Sequence, residues 1–280
     1  MSPAPHRWTA GPRTVALLGS PLIALVAVLL VWPMGITLMR SLTDDGGFTF
    51  RRYATILTSS HYLTSIGFTA VLSVVSTLLA LVICVPAGLY LQRDSSRLGS
   101  LLAAVLTIPL SLPGIIIGFF IILMVGNAGV IPKAIEAATG GRALQIAYTY
   151  TGLMLGYLYF QIPRVVLVVR GAAAHVKQET IDVARSLGAS TWSIYGRIIL
   201  PTLRPALVEA SLIAVATGFG AYGTAATLSR GIRVMPLEVA SSFTESFDPG
   251  MASALAITLA LITTSLLAVL GRWGESEALR

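Results

Sequence analysis

The chain has 280 residues, of which 55% are hydrophobic and only 11% charged, with a mean hydropathy of +0.82. A soluble domain carries about 25% charged residues, so this composition excludes a water-enclosed globule and leaves no room for a large catalytic domain outside a membrane. The 19 Lys and Arg against 12 Asp and Glu give +7, but the cations are dispersed, only Lys133 and Lys177 are lysines, and no aromatic-interleaved basic run exists, which excludes nucleic acid as a partner.

Along the chain, six stretches supply the roughly 20 apolar residues that a helix needs to cross a hydrocarbon core about 30 Å thick. The first, 15–39, follows a charged tail, 1–14, and is too long for the apolar part of a secretion signal, so it is read as a retained span. The second is 64–91; it holds Cys84, the only cysteine, which permits no disulfide within the chain and is read as a small core residue. The third, 98–125, contains Pro109 and Pro113, and Pro113-Gly114 near its middle is the best candidate for a backbone break lining a cavity. The fourth, 146–169, is uncharged up to Arg164. Gly114 and Gly118 on the third span, and Gly152 and Gly156 on the fourth, have the four-residue spacing of close-packing helix faces.

The fifth span, 210–229, is entered from near Leu203, and the sixth is 249–271, followed by a tail, 272–280. Gly218, Gly220 and Gly223 spell G-x-G-x-x-G inside the fifth span. A dinucleotide fingerprint needs a strand before it and a helix opening at the phosphate, so these glycines are read as places where helices approach or the backbone bends. The fold class expected is all-α integral membrane, with six transmembrane helices forming one domain over 15–271.

With six spans, both termini lie on one side. Termini in the cytoplasm put twelve basic residues there, namely Arg7, Arg13, Arg93, Arg97, Arg164, Arg170, Lys177, Arg185, Arg197, Arg204, Arg272 and Arg280. Seven remain outside: Arg40, Arg51, Arg52, Lys133, Arg142, Arg230 and Arg233. Basic residues resist translocation, so the excess favours cytoplasmic termini.

No span carries Asp, Glu, Lys or Arg at mid-membrane, which weakens the alternative of an ion-coupled secondary transporter or channel. Glu209 lies near the start of the fifth helix, within reach of the interface. The chain has no G-x-x-x-x-G-K-[ST] loop, so ATP is hydrolysed elsewhere. His61 and His175 have no second ligand at metal spacing, and no nucleophile and base stand together within a span. The chain is read as a transport protein, not an enzyme.

The most informative segment is the connection between the fourth and fifth spans, 171–201. Val176, Thr180, Val183, Ala184 and Leu187 recur at helical spacing, with Lys177, Glu179, Asp182 and Arg185 on other faces. Gly188 is placed to end this helix in a left-handed conformation. Ser190 or Thr191 then caps a second short helix carrying Trp192, Tyr195 and Ile198, and Pro201 precedes the next span. Two short helices meeting at a glycine make a compact knob.

In these residues the chain resembles the permease subunits of binding-protein-dependent ABC importers, whose cytoplasmic signature is E-A-A, three residues, G, nine residues, then I-x-L-P. Here Asp182-Val183-Ala184 is followed, at those spacings, by Gly188 and by Ile198-Ile199-Leu200-Pro201. Asp182 and Val183 stand where the signature has Glu and Ala. The resemblance implies that the knob, through Glu179, Asp182, Ala184, Gly188, Ile198, Leu200 and Pro201, couples the pore to a cytoplasmic ATP-binding subunit, which holds the ATP and Mg; no cofactor is expected in this chain. It implies a second permease copy or related chain completing the pore, an external substrate-binding protein, surrounding lipid, and a place in the bacterial cytoplasmic (inner) membrane. The stretches beginning at Ser111 and Phe219 look like the polyamine, phosphonate, ferric-iron and thiamine branch, with polyamines such as spermidine or putrescine the expected solute. Candidate residues of the translocation pathway are Pro113, Gly114, Tyr157, Phe219 and Tyr222.

Overall fold

The computed structural model describes residues 20–21, 23–44, 47–94, 96–140 and 146–278, the side chains of 273–278 excepted. The tail 1–14, the start of the first span at 15–19, Arg142 and Arg280 lie outside the described residues. Six stretches are long and apolar enough to cross a membrane: Ile23–Leu42, Ser60–Arg93, Gly114–Thr139, Tyr150–Ala173, Thr191–Phe219 and Pro249–Arg272. The chain is an all-α, multi-pass membrane protein.

Its helices are α1 (Ile23–Leu42), α2 (Arg51–Thr58), α3 (Ser60–Arg93), α4 (Arg97–Val105), α5 (Gly114–Val125), α6 (Val130–Thr139), α7 (Tyr150–Ala173), α8 (Gln178–Ser186), α9 (Thr191–Phe219), α10 (Tyr222–Leu228), α11 (Met235–Thr244) and α12 (Pro249–Ala278). A two-strand hairpin, β1 (Thr43–Asp44) and β2 (Gly47–Phe48), follows α1 and pairs Thr43 with Phe48. Arg52 ties it to the bundle, because its guanidinium donates to the carbonyls of Thr43 at 2.7 Å and Arg40 at 3.2 Å and pairs with Asp44 at 3.1 Å.

Two expected spans are broken. The stretch 98–125 is not one helix: α4 ends at Val105, a 3-10 turn spans Ile108–Ser111, and Pro113 is extended (φ −58°, ψ 144°) at the head of α5. Pro109 and Pro113 have no N–H to continue an α ladder, so the α-helix stops ahead of Pro109 and resumes only at Gly114, and the third span runs over α5 and α6 instead. The stretch 210–229 breaks at Gly220-Ala221, where Ala221 takes φ −75°, ψ 61°; α9 ends there and α10 is a separate short helix. Pro86 and Pro163, by contrast, are carried within continuous helices.

α1 and α9 share a device. In each a π-helical turn, Ala27–Val31 or Tyr195–Ile199, ends two residues before a proline, Pro33 or Pro201, with Trp32 N–H donating to Ala27 O and Leu200 N–H to Tyr195 O. A proline ring collides with the carbonyl four residues back and offers it no donor. Widening the preceding turn by one residue relieves both problems while keeping the helix continuous.

The bundle centre is α3, α7 and α9. α3 presents small residues to its neighbours in two runs of four-residue steps, Ser65, Thr69, Ser73 and Thr77, then Ser76, Ala80, Cys84 and Gly88, every one buried. Small side chains let backbones approach where lipid supplies no hydrophobic drive. A methyl group on Gly88 would meet Val169 of α7, and one on Gly218 of α9 would meet Ser73. Cys84 sits in this core, its thiol 3.6 Å from the Ile162 carbonyl. Farther along, α5 packs on α10: a methyl on Gly118 would collide with Thr227, one on Gly114 with Thr224, and one on Gly223 with Ile115. Gly156 meets Leu228 and Thr224 of α10, whereas Gly152 meets the Ile146 and Ala147 carbonyls of its own entry turn, so only the second glycine of that pair serves helix packing.

Candidate functional site

The connection between the fourth and fifth spans forms a knob built by local rules. α7 ends at Ala173, and α8 starts after Lys177 with Glu179 in its first turn, where an anion meets the positive helix end. The Asp182 carboxylate accepts from Gln178 Nε2 at 3.0 Å. At the other end Gly188 has φ +81°, the Gly188 amide donates to Arg185 O at 2.9 Å, and the Ala189 amide donates to Ala184 O at 3.0 Å. These two bonds satisfy helix-end carbonyls through one left-handed residue. Nothing lies within 4 Å of where a Gly188 side chain would begin, so glycine is required by backbone conformation and not by crowding. Of the two expected caps it is Ser190 that acts, accepting from the Ser193 amide at 3.3 Å.

The second short helix is not a separate piece. From Thr191 it runs through the π turn into the fifth span as one helix ending at Phe219, so a push on the knob is delivered to the span itself. The expected apolar face of α8 also divides. Ile181 is buried with Ala184 half-buried beside it, and Ile194 and Ile199 of α9 join the same core as Val169 and Leu203. Val183, Leu187 and Trp192 project outward, the last two 83% and 87% exposed. Ile198 is half-buried, Leu200 and Pro201 are exposed. In the sequence the anchors Ile181, Ile194 and Ile199 are not singled out, because apolar letters alone do not say which of them a neighbouring helix covers.

Two hollows flank the knob. One, of about 710 Å³, lies between the end of α3 (Leu89, Tyr90, Arg93) and the start of α9 (Trp192, Tyr195, Leu200). The other, of about 420 Å³, lies under α8 between Gln92, Val176 and Ile181. Asp94, just past α3, is half-buried, and hydrogen bonds from Ser96 hold its carboxyl below the usual carboxylate range.

The five pathway candidates separate. Gly114 and Tyr222 line one cavity of about 220 Å³, beside the Pro113 break, together with Phe160, Arg164 and Thr224. Thr224 Oγ1 donates to Gly114 O at 3.1 Å. Phe219 and Tyr222 line a shallow groove of about 580 Å³ between α9, α11 and α12. Tyr157 is fully buried, tilted against Phe160 at 5.6 Å, and lines neither hollow. Spans free of deep charge were expected, and Arg164 departs from this: it lies inside α7, well before Ala173, with its Cζ 5.8 Å over the Phe160 ring; Glu209 likewise lies inside α9, ten residues before Phe219.

At the end of the bundle away from the knob, Arg233 Nη1 donates to His61 Nδ1 at 2.6 Å, and His61 Nε2 in turn faces Glu238 Oε2 at 2.8 Å. Ser65 donates to the other Glu238 oxygen at 3.0 Å. His61 thus joins α3 to α11. No group of three metal-ligating side chains occurs among the described residues.

With this geometry in view, the family described as binding-protein-dependent transport system inner membrane component matches residues 84–272. The chain is 27% identical over 271 residues to the molybdenum transport system permease protein ModB of Mycobacterium tuberculosis, covering 95% of this chain and 92% of that one. It is 25% identical over 206 residues to the sulfate transport system permease protein CysW of Synechocystis sp., covering 72% and 73%. Among solved structures it resembles a chain of a bacterial alginate ABC transporter in complex with an alginate pentasaccharide-bound periplasmic protein, with a TM-score of 0.82, 15% identity and 95% and 96% coverage. A chain of the inward-facing MetNI methionine ABC transporter superposes with a TM-score of 0.58, 18% identity and 76% and 94% coverage.

Proposed function

We propose that this chain, which belongs to the family of binding-protein-dependent transport system inner membrane components and is the permease subunit of an ABC importer, carries a tetrahedral oxyanion of the molybdate or sulfate kind. The relatives named for molybdenum and sulfate transport support this solute class, and the polyamine expected from two short sequence stretches finds no support among them.

In this reading the knob faces the cytoplasm, as do both termini, and Val183, Leu187 and Trp192 seat in a cleft of an ATP-hydrolysing subunit that holds ATP and Mg. A second permease copy or related chain completes the pore, and an external binding protein delivers the solute. The observation that carries the mechanism is the unbroken run from Thr191 to Phe219. Closure of the ATPase pair displaces the knob, the rigid α9 transmits the displacement, and the pore changes the side on which it is open. Such a switch is driven only by a difference in interaction free energy between the two states; in this reading nucleotide bound by the ATPase pair supplies it and the docked knob transmits it.

Reconstitution of the chain with the ATPase and binding protein expressed alongside it tests the reading. ATP-dependent uptake of radiolabelled molybdate or sulfate is expected, with no uptake of spermidine. Spermidine uptake without oxyanion uptake overturns the solute class, and uptake driven by an ion gradient without ATP overturns the mechanism.

A further inference from the structure

We infer that Arg164 is an oxyanion contact inside the translocation pathway, an inference that rests on the oxyanion reading above. Arg164 lies nine residues before the end of α7 at Ala173, about 13 Å into the helix at 1.5 Å per residue, which approaches half the thickness of a hydrocarbon core. A guanidinium at that depth is costly without a partner. Its Nη1 is fully buried and has no hydrogen-bond partner, and its Cζ lies 5.8 Å from the centre of the Phe160 ring.

The cavity of about 220 Å³ that Arg164 borders has no carboxylate in its wall. Leu112 and Phe160 supply an apolar side, Gly114 and Gly220 bring bare backbone to the surface, and Tyr222 and Thr224 complete the wall, the Thr224 hydroxyl proton being engaged by the Gly114 carbonyl. Both backbone breaks of the bundle, at Pro113 and at Gly220-Ala221, open on this cavity. Irregular backbone at membrane depth is tolerated where it lines a polar cavity, and discontinuous helices mark solute sites in transport proteins of other folds. A cation with an unused donor, bordering a cavity that admits a tetrahedral oxyanion and water, is matched by a ligand with negative charge and several acceptors. One cation without a second keeps the contact weak enough for release, as conduction requires.

The experiment uses the assembled complex of the chain with its ATPase, as wild type, R164K and R164Q, each checked for assembly by size exclusion. Loss of a charge-assisted hydrogen bond corresponds to about tenfold or more in affinity. Equilibrium dialysis of radiolabelled molybdate against the nucleotide-free complex, without binding protein, is expected to show saturable binding that weakens by that factor in R164Q and less in R164K. With binding protein and ATP, uptake is expected to fall in the same order. Equal molybdate uptake by wild type and R164Q overturns the Arg164 contact and leaves the solute class standing. Spermidine uptake in place of oxyanion uptake overturns the solute class, and the dialysis then decides the contact alone: wild-type complex that retains no molybdate, or retains it as well in R164Q, overturns it. A guanidinium that merely reaches the interface predicts those same negative results.

Discussion

The Ala189 amide reaches back across Gly188 to the Ala184 carbonyl at 3.0 Å, closing the end of α8 where the two arms of the knob meet. Ala184 and Gly188 are letters of the coupling signature, and the structure gives their spacing a physical meaning: a carbonyl at the helix end and a left-handed residue four positions on.

Replacing Gly188 by valine is expected to abolish ATP-driven uptake while leaving membrane insertion intact. A left-handed conformation costs about 1–2 kcal/mol for a residue with a Cβ, and a β-branched side chain suits it least. Because the space around Gly188 is open, Gly188→Asn is expected to retain most of the activity, since Asn tolerates that region. Equal loss in both variants, measured as uptake and ATPase co-purification, would show that bulk and not backbone conformation matters.

Trp192→Ala and Leu187→Ser are expected to weaken binding of the ATPase without destabilising the permease. Exposed substitutions alter stability by about 0.5 kcal/mol or less, whereas an aromatic anchor at an interface contributes about 2 kcal/mol or more. Thermal unfolding of the permease alone and titration of the ATPase into it separate the two effects. A falling melting temperature with unchanged affinity would place these side chains in the fold and not in the interface.

Gly118→Ala is expected to lower thermal stability by about 1–3 kcal/mol, the usual cost of an overpacked contact, because the new methyl collides with Thr227. Thr227→Ala in the same chain is expected to restore part of the loss, because it removes the hydroxyl but leaves Thr227 Cβ 2.7 Å from the new methyl. If the double variant is no more stable than Gly118→Ala, the α5–α10 contact is not the source.

Glu238→Gln is expected to destabilise the end of the bundle away from the knob. His61 and Ser65 both engage this carboxylate, and leaving a partly buried donor unmatched costs about 1–3 kcal/mol. Hydrogen exchange at the start of α3 and along α11 reads the loss locally. Uniform exchange across the chain would count against a role for Glu238 in joining these helices.

Hydropathy, a sum over adjacent letters, located six membrane-crossing segments, and the cap, the glycine and the proline of the knob follow from contacts within a few residues. The same local sum misplaced the third and fifth spans. It measures polarity, and the breaks at Pro113 and Gly220 are made by residues that are apolar or small but poor helix formers. Periodicity likewise grouped Val183 and Leu187 with Ala184, although Ile181 is the side chain the bundle buries.

From its own letters the chain determines that it crosses a membrane six times and carries a glycine-hinged knob before the fifth crossing, because those properties are settled between near neighbours. Which side of α8 turns inward, that Gly118 rests on Thr227, and that Arg164 borders a cavity while its Nη1 is buried without a partner were decided only when distant helices met. Burial and partnership belong to pairs of surfaces, and the residues forming those pairs stand tens of positions or more apart in the chain.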